Sequence, residues 1–357
     1  MARGGAYGAS AVGGSTGAAS GRRRERIDRG IMVRANDVFA LLSWREMLYL
    51  AAPRLLSVVL VLGAPLLMSP YWQRVMLSVA VFALLAISWD MLAQVGMVSL
   101  GQSLFFGIGA YVAGTLDHYG SWPPLVTIPF ATVAGGAICT GLLLPLLRLR
   151  GIYFAMVTLI FPLMLVRIIE AARLFGGTEG LSGLTPLPAS LELYPLLVVL
   201  LLVYFAFRRM MASDYGLVLK AIRDNDRAVI SAGIHITAYK AQALFMASAV
   251  GAFTGAWMTH VYLFVGMPVF ALDYSILPIA AAVVGGVGSL AGALIGAGLL
   301  VPLSEALRGI GGLRIVLYGL FLVIFTVALP EGIFPFLRRK YTQFERWSDV
   351  GRTGGDR

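Results

Sequence analysis

Hydrophobic residues fill most of this chain in long blocks that are separated by short polar breaks. The blocks are Leu55–Met68, Val75–Ala93, Leu104–Leu116, Leu125–Leu147, Ile152–Ile169, Leu191–Phe207, Ala241–Val265, Leu272–Val284, Leu290–Leu303 and Ile315–Leu329. A helix needs about 20 residues to cross roughly 30 Å of hydrocarbon. Several of the blocks reach about that length, whereas others are shorter. Within the blocks the apolar residues are continuous, whereas the strands of a membrane barrel alternate. The pattern predicts an all-α integral membrane protein with about ten transmembrane helices.

The amino-acid composition agrees with a chain that is embedded in a lipid bilayer. Hydrophobic residues make up 59% of it, charged residues 13%, and the mean hydropathy is +0.83. That charged fraction is about half of what a soluble domain carries, and it cannot cover a surface in water. Cys139 is the single cysteine and lies in an apolar block, which excludes a disulfide framework. His118, His235 and His260 lack metal-ligand spacing, so we expect no metal site.

The positions of the basic residues predict the orientation of the chain. The net charge is +10, but Lys and Arg lie in the tails and between apolar blocks, which argues against a nucleic-acid partner. If every block crosses from a cytoplasmic N-terminus, the outside positions hold only Arg74, Arg167, Arg173, Arg308 and Arg314 of the 28 basic residues. The positive-inside rule then predicts that both termini are cytoplasmic. We expect a disordered basic tail over 1–50, a transmembrane domain over 51–330 with a cytoplasmic loop at 208–240, and a basic tail over 331–357.

Glycines interrupt the apolar blocks in two clusters, one over 96–109 and the other over 285–296. They either allow close contact between helices, or mark discontinuous helices that present backbone dipoles to a solute at mid-membrane. Glycine is common in membrane helices, which favours the first interpretation.

The polar loop has the pattern of two short helices. Ser213 is placed to cap the first, in which Leu217 and Ile222 are expected to share an apolar face with Val218 and Ala221. Asp226 is placed to cap the second, and Gly233 to end it. Such a pair either floats at the lipid headgroups or inserts its apolar face into a groove on a partner. The residues alone leave both possibilities open.

This loop resembles the cytoplasmic loop of bacterial branched-chain amino acid ABC transporter permeases, and in particular the LivM type. The matching positions are Gly216, Ala221, Ile222, Arg223, Asp224, Asn225, Asp226, Ala228, Gly233 and Ile234. Further segments are similar in the same order, at 98–111, 149–159, 176–183, 237–255 and 283–290. The resemblance covers roughly residues 70 to 335. Departures at Asp90, Gln102, Val229 and Ser231 leave the identity of the solute open.

The resemblance implies a permease with a type II ABC importer fold in the bacterial inner membrane. It also implies a second homologous permease subunit, two ATP-binding subunits and an external solute-binding protein. The sequence has no Gly-x-x-x-x-Gly-Lys-Ser/Thr loop, so no cofactor is expected on this chain, and partner subunits would use the ATP. The residues expected to couple to the ATP-binding subunits are Gly216, Leu217, Ala221, Ile222, Arg223, Asp224, Asn225, Asp226, Ala228, Ile230 and Gly233.

Polar residues within the apolar blocks are the candidates for a solute pathway. They are Asp90, Gln94, Ser99, Gln102 and Thr158. A carboxylate at a helix end is often solvated by headgroups, whereas one deeper in a bundle is costly and usually functional. The first interpretation is favoured for Asp90. Thr158, near Pro162, either bonds its own helix backbone or faces a solute.

Other functions are less well supported by the sequence. Related permeases carry urea, amides or small carboxylates, so the branched-chain substrate is one of several possibilities. An ion-coupled secondary transporter predicts paired intramembrane acids, and Asp90 is isolated. A membrane enzyme needs a cluster of nucleophile, base or metal ligands, and none occurs in the apolar blocks. The sequence therefore predicts a transporter subunit that is not itself an enzyme.

Overall fold

A computed structural model describes residues 58–340 of the chain, except residues 60, 150, 311–312 and 330. The predicted tail 1–50 and residues 341–357 lie outside the described residues. The α-helices are α1 Pro70–Gln94, α2 Gln102–Gly120, α3 Pro124–Leu143, α4 Ile152–Ala172, α5 Ala189–Glu192, α6 Tyr194–Met211, α7 Asp214–Asp224, α8 Asp226–Ser231, α9 Ile236–Tyr262, α10 Asp273–Gly285, α11 Leu290–Ala306 and α12 Leu313–Ala328. Residues 61–67 and 333–340 are also helical.

The prediction of an all-α membrane protein is confirmed, whereas the count of about ten spans is not. Among the described residues, seven helical stretches are long and apolar enough to cross a membrane. They are Pro70–Gln94, Pro124–Arg148, Ile152–Ala172, Ala189–Met211, Ile236–Tyr262, Met267–Gly285 and Leu290–Gly309. Helix α2 has 19 residues but contains polar residues such as Gln102 and Asp117, and α12 has only 16 residues.

The centre of the bundle is formed around α9, which packs on α1, α2 and α3, while α1 also packs on α10 and α11. Close contact is possible there because the helices meet at glycines. A Cβ atom on Gly255 of α9 would collide with the Phe106 carbonyl oxygen of α2, and one on Gly109 would collide with the backbone of Ala252. The prediction that glycines allow close helix contact is therefore confirmed. Helices α4 and α6 lie outside this centre and expose apolar side chains, which suits contact with lipid.

The two ends of the bundle differ. At one end, strand β1 Leu181–Ser182 pairs antiparallel with strand β2 Phe264–Val265, next to the last turns of α2 and α9. At the other end lie α7 and α8, and Arg223 of α7 touches Gly96 in the turn that follows α1. Most of the described backbone between the two ends is helical.

Candidate functional site

Helix α7 buries one face against the bundle. Its buried residues are Gly216, Leu219 and Ile222, whereas Leu217 is 64% exposed. These three buried residues recur every third position and line one side of a helix. Of the predicted apolar face, Leu217 and Ala221 are exposed, as a face that meets a partner requires, whereas Ile222 is buried. The predicted placement of Ile222 on that outward face is therefore wrong.

Asn225 caps helix α8, which is a correction to the predicted cap at Asp226. The Asn225 side-chain oxygen accepts a hydrogen bond from the Ala228 N–H at 3.2 Å. Gly233 follows the helix with φ of 78°, a conformation that side chains disfavour, as the sequence predicted. Val229 is buried, while the side chain of Ile230 is 59% exposed. Ser213 occupies the position before α7 without capping it, since its hydroxyl donates to the Met210 carbonyl.

Helix α7 is docked on the bundle. A Cβ on Gly216 would lie 2.5 Å from the Met211 backbone, so α7 packs closely on the end of α6. Lys220 donates a hydrogen bond to the Met211 carbonyl at 3.2 Å. At the far end of α7, a Cβ on Gly96 would lie 3.1 Å from Cγ of Arg223. Helix α7 is therefore held at both of its ends.

Two kinds of surface result from this docking. The polar side chains of α7 and α8 border a cavity of about 350 Å³, together with the turn after α1 and the start of α4. The cavity is lined by Val95, Gly96, Met97, Leu149, Gly151, Phe154, Ile222, Arg223, Asp224, Asn225, Asp226, Arg227 and Lys240. The second surface presents the exposed apolar side chains of Leu217 and Ile230, with Ala221 and Ala228 also exposed. Burial raises the pKa of the Tyr215 phenol, which packs on Tyr239 behind this surface.

The five predicted pathway residues are all buried in this conformation. Asp90 accepts hydrogen bonds from the Gly288 N–H at 2.6 Å and from Gln94 Nε2 at 3.0 Å. The favoured idea that headgroups solvate Asp90 is wrong, because its exposed fraction is 0%. Gln102 lies beside Ser88, and its Nε2 is buried without a hydrogen-bond partner among the described residues. The pathway role of these side chains stays a prediction.

A non-helical stretch over 95–101 joins α1 to α2 and runs back into the bundle. Its backbone is satisfied by side chains, as backbone away from water requires. Trp89 donates to the Ser99 carbonyl at 2.7 Å, and the Leu100 N–H donates to Thr158 Oγ1 at 3.1 Å. Thr158 also donates to the Ala155 carbonyl of its own helix. Residues 95–101 therefore interrupt the helical backbone, while the presentation of backbone dipoles to a solute stays a prediction.

Sequence reasoning missed a second set of buried polar contacts at the opposite end. Asp117 accepts from the Thr185 N–H at 2.6 Å and from the Thr185 hydroxyl at 2.8 Å. His260 contacts the Thr185 carbonyl at 2.9 Å and the Thr127 hydroxyl at 2.7 Å. These contacts tie α2, α3 and α9 to the glycine-rich stretch before Thr185. No spacing in the sequence brings these residues together, although a histidine within an apolar block and an acid directly after another block were a usable indication.

Comparison with known proteins identifies the family. The family model for the permease component of the branched-chain amino acid transport system matches residues 71–329. The high-affinity branched-chain amino acid transport system permease proteins LivM of Salmonella typhimurium and of Escherichia coli are each 28% identical to the chain over 278 residues. These matches cover 68% of this chain, and the chain spans only 65% of the length of these relatives. No solved structure matches the chain. The chain has helices that are long and apolar enough to span a membrane, and the family model matches most of its described length. The chain therefore belongs to the permease components of branched-chain amino acid transport systems.

Proposed function

We propose that this permease is one membrane subunit of an ATP-binding cassette importer that moves branched-chain amino acids across the inner membrane of a bacterium. Family membership and the names of the two LivM relatives support the substrate class. In this proposal a second homologous permease lies beside it, two ATP-binding subunits attach on the cytoplasmic side, and an external binding protein delivers the solute. The ATP is hydrolysed by the partners, and both termini of this chain are cytoplasmic.

The observation that carries the proposal is the combination of docking and exposure in α7–α8. Gly216 and Ile222 hold α7 against the bundle, whereas Leu217 and Ile230 project away from it. A helix pair that is rigidly attached on one side and apolar on the other suits a partner with a matching groove. Movement of that partner would then reach the membrane helices through α7.

The proposed coupling residues fall into two groups by position. Gly216 and Ile222 attach α7 to the bundle, and Asn225 and Gly233 set the direction of α8. The residues proposed to face the partner are Leu217, Ala221, Arg223, Asp224, Asp226, Ala228 and Ile230. Ser99, Gln102 and Thr158 remain our candidates for the solute pathway, because they border the non-helical stretch. Since they are buried here, helix packing must change before a solute reaches them.

Substitution of the exposed apolar residues tests the proposal. The chain would be coexpressed with the ATP-binding subunits of its transport system, as wild type, Leu217→Asp and Ile230→Asp. Placing a carboxylate in an apolar groove is costly, so we expect retained ATP-binding subunits to fall about tenfold or more. Ser231→Asp is the matched control, because it adds the same charge at an exposed position of α8 without removing an apolar side chain.

The outcomes separate the function from its alternatives. Normal retention of the ATP-binding subunits by both Asp variants would refute the coupling surface, as would an equal loss in Ser231→Asp. Uptake by the reconstituted complex should require ATP and the binding protein and should prefer Leu, Ile and Val. Preference for urea, an amide or a small carboxylate would overturn the substrate class. Uptake by the purified chain driven by an ion gradient alone would overturn the importer.

A further inference from the structure

Asp90 is the unusual residue of α1, because a carboxylate is buried where an apolar side chain would cost less. Both of its oxygens have donors. Oδ1 accepts from the Gly288 N–H at 2.6 Å, and Oδ2 accepts from Gln94 Nε2 at 3.0 Å. Gln94 belongs to the same helix, whereas Gly288 lies 198 positions further along the chain. The side chain therefore connects two distant parts of the fold.

The distant partner belongs to the break between α10 and α11. Gly286 and Gly288 have φ of 113° and 83°, so this connection is not helical. Ser289 then caps α11 by accepting from the Gly292 N–H. Gly288 is itself exposed, and its N–H reaches inward to donate to the buried Asp90 carboxylate. A carboxylate beside the amino end of α11 is also favoured by the helix dipole.

The near side of Asp90 leads to the surface helices. Gln94 is the last residue of α1, and Gly96 in the following turn lies against Arg223 in the last turn of α7. The α10–α11 connection is held on its other side as well, since a Cβ on Gly286 would lie 2.6 Å from Pro335. A continuous series of contacts thus runs from α7 through the end of α1 to the break before α11.

We propose that Asp90 is a positioning residue that transmits displacement of α7 to the α10–α11 break. This inference rests on the proposed function, in which a partner moves α7. Each Asp90 oxygen accepts one hydrogen bond, and the described residues contain no group of three or more His, Cys, Asp or Glu that could hold a metal ion.

The test compares two substitutions of Asp90 in the reconstituted complex. Asp90→Asn keeps a side-chain oxygen that accepts from the Gly288 N–H. Its new amide group can donate to the Gln94 side-chain oxygen once the Gln94 amide has rotated. Asp90→Ala removes both. We expect Asp90→Ala to retain its ATP-binding subunits and basal ATP hydrolysis, while stimulation by the solute-loaded binding protein falls about tenfold or more. Asp90→Asn should stay within about threefold of wild type.

A buried control separates coupling from stability. Thr254→Val also removes one buried hydrogen bond, but that bond runs from the Thr254 hydroxyl to the Gly251 carbonyl of its own helix α9 and not to α11. It should therefore leave stimulation intact. Hydrogen–deuterium exchange of the purified chain supplies a readout that needs no transport, because Asp90→Ala should deprotect the amides of 286–292 and Thr254→Val should not.

The results distinguish the failure of this inference from the failure of the proposed function. If the wild-type complex hydrolyses ATP in response to solute and Asp90→Ala does so equally well, the positioning role is refuted. If the wild-type complex shows no such response, the proposed function fails, and the exchange data alone decide whether Asp90 holds the break. Unchanged exchange over 286–292 in Asp90→Ala overturns the inference in either case. A Na⁺ requirement that Asp90→Asn abolishes would assign Asp90 to an ion site instead.

Discussion

The contact between Asp117 and Thr185 permits a quantitative prediction about the stretch that precedes α5. One carboxylate accepts both the backbone N–H and the hydroxyl of Thr185, at 2.6 Å and 2.8 Å. Asp117 itself is almost completely buried. Asp117→Ala removes both acceptors and leaves the Thr185 amide without its partner. The stretch remains attached by the Leu187 N–H, which donates to the His260 carbonyl, and by the pairing of β1 with β2.

The magnitude follows from the strength of hydrogen bonds to a charged acceptor. Such a bond contributes about 1.5 to 3 kcal/mol, and about 1.4 kcal/mol corresponds to a tenfold change in an equilibrium constant. The local opening constant at Thr185 should therefore rise about 10- to 100-fold in Asp117→Ala. Asp117→Asn keeps one acceptor oxygen and should show a smaller rise. The global unfolding transition should shift less, because the bundle core is untouched.

Hydrogen–deuterium exchange with mass spectrometry measures this directly on peptides that contain Thr185. Thr115→Val is the matched control, since Thr115 lies on the same helix and its hydroxyl donates to the Tyr111 carbonyl of α2 itself. It should leave exchange at Thr185 unchanged. Wild-type exchange of the Thr185 amide in Asp117→Ala would refute the reasoning. An equal increase in Thr115→Val would show that α2 as a whole had loosened.

Three further predictions concern packing and orientation. Gly255→Ala should destabilise the protein by about 1 to 3 kcal/mol, because its Cβ clashes with the Phe106 backbone. Gly298→Ala has open space at its Cβ and should stabilise the protein by up to about 1 kcal/mol. Thermal unfolding in detergent measures both. Ile222→Asp should lower folded yield in size-exclusion chromatography, because Ile222 is only 3% exposed, whereas Leu217→Asp should not. A single-cysteine variant at Ala212, on a Cys139→Ser background, should resist impermeant thiol reagents in intact cells and react after lysis.

Several features of the site were predictable because they are local. Gly233 ends α8 as expected, since a left-handed residue after a helix is a property of a few neighbouring positions. The existence of α7 and α8 was also predicted. Two details were not predicted: Asn225 caps α8 in place of Asp226, and Ile222 is buried together with Leu219 and does not share the exposed side of Leu217. Two adjacent residues are often equally able to cap a helix, and only the contacts of each side chain decide between them.

The sequence by itself determined that this chain is a bundle of membrane helices. In hydrocarbon the backbone N–H and C=O groups must be satisfied within each segment, so the length of an apolar block is enough to specify a helix. Tertiary structure alone decided which polar residues are buried and what they hold. Asp90 meets Gly288 across 198 positions, and Asp117 meets Thr185 across 68. Periodicity reports the environment of a segment but not the identity of its neighbour, because that identity depends on how distant helices pack.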